Sequence, residues 1–172
     1  MKEVAVMLLV ALLLTGCGNQ TDTQTAASGT WSSQMIGGVG LASGFGFTTS
    51  FSVTGSGGNL SISTFEFINE NNPSCFPVFP LNGGSVNGTM VLTESSNFQV
   101  TGPFAMTVKS GDNTLTLTGT VIGTENGVEG NANTLSNAVA TGTWTFTGGP
   151  TITGCDVNTT GSFKMTQSAS GS

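Results

Sequence analysis

The 172-residue chain contains no histidine, no tyrosine and no arginine, and its cationic side chains are Lys2, Lys109 and Lys164 against nine carboxylates. Each absence removes a class of chemistry. Without histidine there is no Ser-His-Asp or Cys-His arrangement, so a nucleophilic serine would need an activated lysine as its base. Lys109-Ser110 sits at a hairpin signal and Lys164 in a strand pattern, neither of which pairs a base with a nucleophile for a chemical reason. Nucleic-acid affinity rests on Lys and Arg neutralising phosphates. With Lys2 in the leader, two lysines remain in a net-acidic chain, and nucleic acid is excluded as a partner. The same shortage excludes a polybasic contact with anionic lipid. Charged residues make up only 7% of the chain, so solubility must come from hydroxyl and amide groups.

Few carboxylates stand close enough in sequence to act together. Glu66 and Glu70 flank one polar stretch (EFINENN), and Glu125 and Glu129 another (ENGVEGNAN). Such pairs could cleave glycosides, and their oxygens suit Ca²⁺. Both stretches read instead as solvated turns, and neither has the spacing of an EF-hand or of a Gly-Asp calcium repeat. No catalytic residue, metal or cofactor is assigned, and the chain is read as non-enzymatic.

What is present begins with an address. Lys2 precedes an unbroken apolar run from Val4 to Leu14, then Leu14-Thr15-Gly16-Cys17. The run is well short of the roughly 20 apolar residues that a spanning helix needs, which matches a secretory signal that is removed after export. Leu14-Thr15-Gly16-Cys17 resembles the lipobox of bacterial lipoproteins. That resemblance implies cleavage after residue 16, a diacylglyceryl group on the Cys17 thiol and an acyl chain on its amine. At about 0.8 kcal/mol per buried methylene, two or three chains anchor a protein stably. Gly18 stands where some Gram-negative lipoproteins carry a retention Asp, so the resemblance places the protein at the outer membrane, lipid-anchored in the cell envelope. Residues 17–28 are then the lipidated cysteine and a polar flexible tether.

With Cys17 assigned to lipid, Cys75 and Cys155 remain as an even pair in an oxidising compartment, and a structural disulfide is expected between them. It would close a loop of about 80 residues and stabilise the fold by roughly 4 kcal/mol in the chain-entropy model. It would also pin the Pro-rich stretch around Pro73, Pro77 and Pro80 to a late strand. A redox or metal pair has no support, since there is no Cys-x-x-Cys and no histidine to complete a site.

From residue 29 to 167 the sequence reads as one domain, followed by a loose tail over 168–172. The hydrophobic period is two almost throughout. Phe45, Phe47, Phe51 and Val53 share one face of a strand whose other face is Gly46, Thr48, Ser50 and Ser52. Phe98, Val100, Phe104, Met106 and Val108 keep one parity across Gly102-Pro103, which predicts a bent or bulged strand there, with the proline requiring a sheet edge or a break in the ladder. Leu115, Leu117 and Val121 define another strand, Trp144 and Phe146 a further one. Leu60 and Ile62 change parity to Phe65 and Phe67, predicting a bulge near Ser63-Thr64. Turn signals fall at 55–59, 94–97, 111–113, Asn126-Gly127 and 148–150. The recurring phrase Gly-[Thr/Ser]-apolar, at Gly29, Gly88, Gly119, Gly142 and Gly161, is read as marking strand starts. The expected fold is all-β: an antiparallel meander of about eight to ten strands, closed into a barrel or folded into a sandwich.

Gly29-Thr30-Trp31 opens the first strand of this meander, and a Gly-x-Trp start on a chain of this length resembles the calycin barrels, the lipocalins and avidins. The resemblance implies a closed up-and-down barrel with Trp31 packed at the closed end and a small apolar ligand in the mouth. The lipocalin pattern pairs that Trp with a late Arg and avidin-type pockets use Tyr, and this chain has neither. Trp31 and Trp144 read as core residues, with exposed sugar-stacking platforms as the alternative. Two functions follow. One is an envelope lipoprotein with a non-catalytic structural or interaction role and a solid core. The alternative is a lipocalin-like barrel that binds a small apolar ligand, which requires a roomy interior.

Overall fold

In the longest strands every second side chain is apolar and the intervening ones are threonine, and this alternation alone builds a wall with a dry and a wet face. The structure, a computed structural model, describes residues 20–37, 46–54, 57–68, 85–126, 134–147 and 159–168. A short helix α1 (Gln20–Ala26) precedes nine strands: β1 (Gly29–Ile36), β2 (Gly46–Thr54), β3 (Asn59–Ile68), β4 (Ser85–Met90), β5 (Thr93–Glu94), β6 (Gln99–Ser110), β7 (Asn113–Asn126), β8 (Thr134–Thr147) and β9 (Thr159–Gln167). The order β4-β3-β2-β1-β9-β8-β7-β6-β5, with β4 also paired to β6, closes an antiparallel eight-stranded up-and-down barrel and leaves β5 outside the ring. Closure settles the choice between barrel and sandwich, and it removes the sheet edges that an open meander would expose.

The register explains the local sequence. Along β2 and β3, Ser50 faces Thr64 and Phe51 faces Ile62, so Ser63 is the extra residue of a bulge at the predicted place. Strands β4 and β5 keep a common register on β6, Met90 facing Phe104 and Thr93 facing Thr101. They are separated opposite Pro103. The Pro103 carbonyl accepts from Val91 N at 3.1 Å, so the N–H that proline lacks is the one that would have returned that bond. The β6–β7 ladder passes Pro103 unbroken because it faces the other way.

Inward positions form one apolar core: Trp31, Met35, Phe47, Phe51, Phe65, Met90, Phe104, Met106, Leu115, Leu117, Trp144, Phe163 and Met165 are all buried. Outward positions are largely Thr and Ser, with Thr114, Thr116, Thr118 and Thr120 of β7 paired in register with Thr147, Thr145, Thr143 and Thr141 of β8. An apolar inside and a hydroxyl outside are the reverse of a membrane-spanning barrel, whose apolar band faces lipid.

The Gly-[Thr/Ser]-apolar phrase does not mark strand starts. Only Gly29 begins a strand; Gly88, Gly119, Gly142 and Gly161 lie inside β4, β7, β8 and β9. They share the parity of the buried residues two places on, and a Cβ at each would meet the backbone of a neighbouring strand. Gly119 and Gly142 are directly paired, flanked by Phe104 and Phe163, whose rings meet at a centroid distance of 6.0 Å. A Cβ on Gly161 would stand 2.6 Å from Trp144 Nε1.

Two further expectations need correction. Residues 20–28, expected as part of a flexible tether, form α1 and a turn with Thr23, Gln24, Ala26 and Ala27 buried. The small side chains that look like tether composition are those able to pack against a barrel end. Phe98, expected on the inward face of β6, is instead 59% exposed in the turn before that strand. Residues 1–16, Cys17, Cys75, Cys155 and 169–172 lie outside the described residues.

Candidate functional site at the helix-closed end

At one end of the barrel the β2–β3 turn, the β5–β6 hairpin and the ends of β7 and β9 lie around α1. Helix α1 ends in two i→i+3 bonds, Ala27 N to Gln24 O at 3.1 Å and Ser28 N to Thr25 O at 2.9 Å, tightening its last turn as helix ends commonly do. The Trp31 indole N–H donates to the Ala27 carbonyl at 2.9 Å, and its ring stacks on Phe51 at 5.7 Å. Gln167, paired with Trp31 across β1 and β9, donates from Nε2 to the carbonyls of Ala26 at 3.2 Å and Ser28 at 2.9 Å. The Gln167 amide thus ties the helix end to the barrel wall. Ser28 Oγ in turn accepts from Val53 N at 2.9 Å.

The helix also meets acid. Thr23 Oγ1 lies 2.9 Å from Glu125 Oε2 and 3.4 Å from Glu94 Oε2. Glu125 is only 5% exposed, at the end of β7, so the helix hydroxyl supplies part of the polar environment that a buried carboxyl requires. Among the described residues no group of three or more metal-ligating side chains is gathered.

Beside this end, the outer wall carries a cleft of about 480 Å³ lined by Thr93, Glu94, Gln99, Ile122, Gly123 and Asn137 among others. It has a structural cause. The β7–β8 register shifts between Ile122 and Thr124, and the opposing Asn137 adopts φ 52°, so the wall is bent there. Phe98, with φ 61°, is the other described non-glycine residue in the left-handed region, and it sits between Ser95 and Gln99 of the cleft rim. Ser95 N bonds Gln99 O at 2.8 Å and Phe98 N bonds Ser95 O at 3.0 Å. Phe98 thus occupies the left-handed corner of a three-residue hairpin loop, a place that favours glycine. Residues out of conformational equilibrium cluster at functional positions.

The residues singled out from sequence are dispersed. Trp31 and Trp144 are both 0% exposed, within the core as expected. Glu66 and Glu125, expected in solvated turns, lie instead on strands, Glu66 exposed on β3 and Glu125 buried on β7, which does not neighbour β3. Lys109 lies exposed at the β6–β7 hairpin at the opposite end, and Lys164 on the outer face of β9. Glu70 and Glu129 lie outside the described residues. Thr23, Glu94, Gln167, Phe98 and Asn137 were not anticipated, and no local signal marks them: a hydroxyl in a polar segment, or a phenylalanine at strand parity, looks the same wherever it points.

The barrel is consistent with a calycin-like fold. No protein-family model, no curated protein and no solved structure matches the chain.

Proposed function

We propose that the protein is an exported envelope lipoprotein, anchored by acyl chains on Cys17 and directed to the outer membrane, whose barrel serves a non-catalytic structural or interaction role. The observation that carries this reading is the filled interior. Inward positions from both ends of the barrel are taken by Trp, Phe, Met and Leu side chains that are essentially fully buried. Three clefts bordered by described residues open on the outer wall, where Thr, Ser and Asn side chains predominate. A barrel packed like an ordinary core offers its outside to partners. The hydroxyl-rich outer wall supports an aqueous setting for the barrel, with the membrane reached through lipid.

Two measurements test it. Cys17→Ser should move the protein from the membrane fraction to the soluble fraction after export, and a fully membrane-bound variant with its leader cleaved would refute the anchor. Titration of the oxidised domain with a fluorescent fatty acid should give no saturable binding. Stoichiometric uptake would instead favour the apolar-ligand barrel that the Gly-x-Trp start implies.

A further inference from the structure

Of the exposed large apolar side chains, Val91, Phe98 and Ile122 lie on the β4–β7 side of the barrel, Phe98 in a hairpin loop beside α1, while Ile36 and Ile68 end β1 and β3 at the opposite end. Single exposed hydrophobics are ordinary, but Phe98 breaks two rules at once. It is 59% exposed, and it holds φ 61°, which a residue with a Cβ adopts only at a cost. Glycine or asparagine would remove that cost and the exposed ring together. Such a locally unfavourable choice points to a use outside the folded core.

The chain itself says what lies against this tip. Helix α1 begins at Gln20, so three peptide steps separate it from Cys17, a reach of at most about 10 Å. Thr23 of the helix touches Glu94, at the base of the Phe98 hairpin. An acyl anchor on Cys17 therefore holds this end of the barrel at the bilayer surface and not on a long leash. The contact cannot be electrostatic, because Lys109 and Lys164 lie elsewhere on the barrel and Glu94 borders the cleft.

We propose that the Phe98 hairpin tip, with Ile122 a few residues back along the strand to which Phe98 bonds, rests in the interfacial layer of the lipid bilayer. It fixes the barrel upright, with the opposite end facing away from the membrane. This rests on the lipid-anchor reading above. Aromatic side chains are favoured at that depth.

The test uses the full-length lipidated protein, purified from membranes and reconstituted in phosphatidylcholine vesicles whose acyl chains are brominated near the headgroup. Phe98→Trp places an indole at the tip, and Lys109→Trp places one at the opposite hairpin. Trp31 and Trp144 are sealed in the core and give a constant background. At an insertion depth of about 5–10 Å the indole introduced at 98 should lose about half its emission or more to bromine, while the one introduced at 109 should lose none. Wild-type protein that co-floats with vesicles while the indole at 98 stays unquenched overturns the contact and leaves the anchor standing. Equal quenching at both positions also overturns it, since the barrel would then lie without orientation. If the wild-type protein does not co-float, the anchor reading falls, and this inference falls with it.

Discussion

Gly142→Ala adds one methyl group, and the structure places it badly. An ideal Cβ at residue 142 would fall on the Thr118 carbonyl oxygen, 2.5 Å from Gly119 Cα and 2.8 Å from the Thr118 carbonyl carbon. All three are backbone atoms of the strand paired with β8, so no side-chain rotation relieves the clash and the β7–β8 ladder must open. In the same row of paired residues, the Phe104 and Phe163 rings meet across the Gly119–Gly142 pair. Those two rings stand three strand spacings apart on the wall, about 14 Å, and they close that gap because nothing projects between them. Overpacking of a core costs about 1–3 kcal/mol, and contact with backbone places this change at the upper end, about 3 kcal/mol. For a domain of this size that lowers Tm by about 10 °C. Urea denaturation followed by tryptophan fluorescence measures it directly, because Trp31 and Trp144 are fully buried and report unfolding. Gly111→Ala is the control: Gly111 has φ 57° with nothing within 4 Å of its added Cβ, so it costs only the left-handed backbone, about 1 kcal/mol. Gly119→Ala should resemble Gly142→Ala, and the double variant should cost less than the sum, since one widening of the ladder serves both methyls. A Gly142→Ala variant no less stable than Gly111→Ala would refute the close-approach argument.

Thr23→Val keeps the shape of the helix side chain and removes the hydroxyl 2.9 Å from the buried Glu125 carboxyl; the expected loss is about 1–2 kcal/mol by urea denaturation, and an unchanged midpoint would show that other groups satisfy Glu125. The Cys75–Cys155 bridge remains a proposal from the sequence, and it predicts that Cys75→Ser lowers the stability of the oxidised domain by as much as roughly 4 kcal/mol and abolishes a mobility difference between reduced and non-reduced gels. The strand ends flanking position 75 (Ile68, Ser85) and position 155 (Thr147, Thr159) come to the same end of the barrel, so the topology permits the bridge; two titratable thiols in the exported protein would refute it. Phe98→Gly should leave stability unchanged or raise it by up to about 1 kcal/mol, through relief of the left-handed backbone. A clear loss of stability would mean that the ring packs against the fold after all.

Features carried by period two were legible in the sequence because burial on a sheet reads out one residue at a time. The inward set on β2, the parity change that becomes the Ser63 bulge, and the interruption opposite Pro103 all follow from neighbours in the chain. The glycine phrase was misread because a glycine inside a strand and one before a strand look alike. What distinguishes them is whether a ring from another strand needs the space, and Phe163 lies far along the chain from the Gly119 it helps to cover. Residues 20–28 were misread for a related reason. No apolar stripe marks α1, whose buried face is threonine, glutamine and alanine, and what holds it is Trp31, Gln167 and Glu125, drawn from three different strands.

Closure of that end by α1 bears on what the barrel can do. A container needs one sealed end and one free cavity, and here the sealing is built with care: an indole hydrogen bond, an amide clasp on two carbonyls and a hydroxyl set against a buried carboxyl. The space behind the seal is nevertheless filled, by Trp31 stacked on Phe51, Phe47 on Phe65 and Phe104 against Phe163. Sealing a solid core gains nothing for a ligand. It does hold the N-terminal segment against the wall, which is what a short link to the acylated cysteine proposed above needs if the barrel is to keep one orientation toward the membrane. The same reasoning accounts for a strained, exposed phenylalanine on the hairpin beside the seal and for hydroxyls over most of the remaining wall.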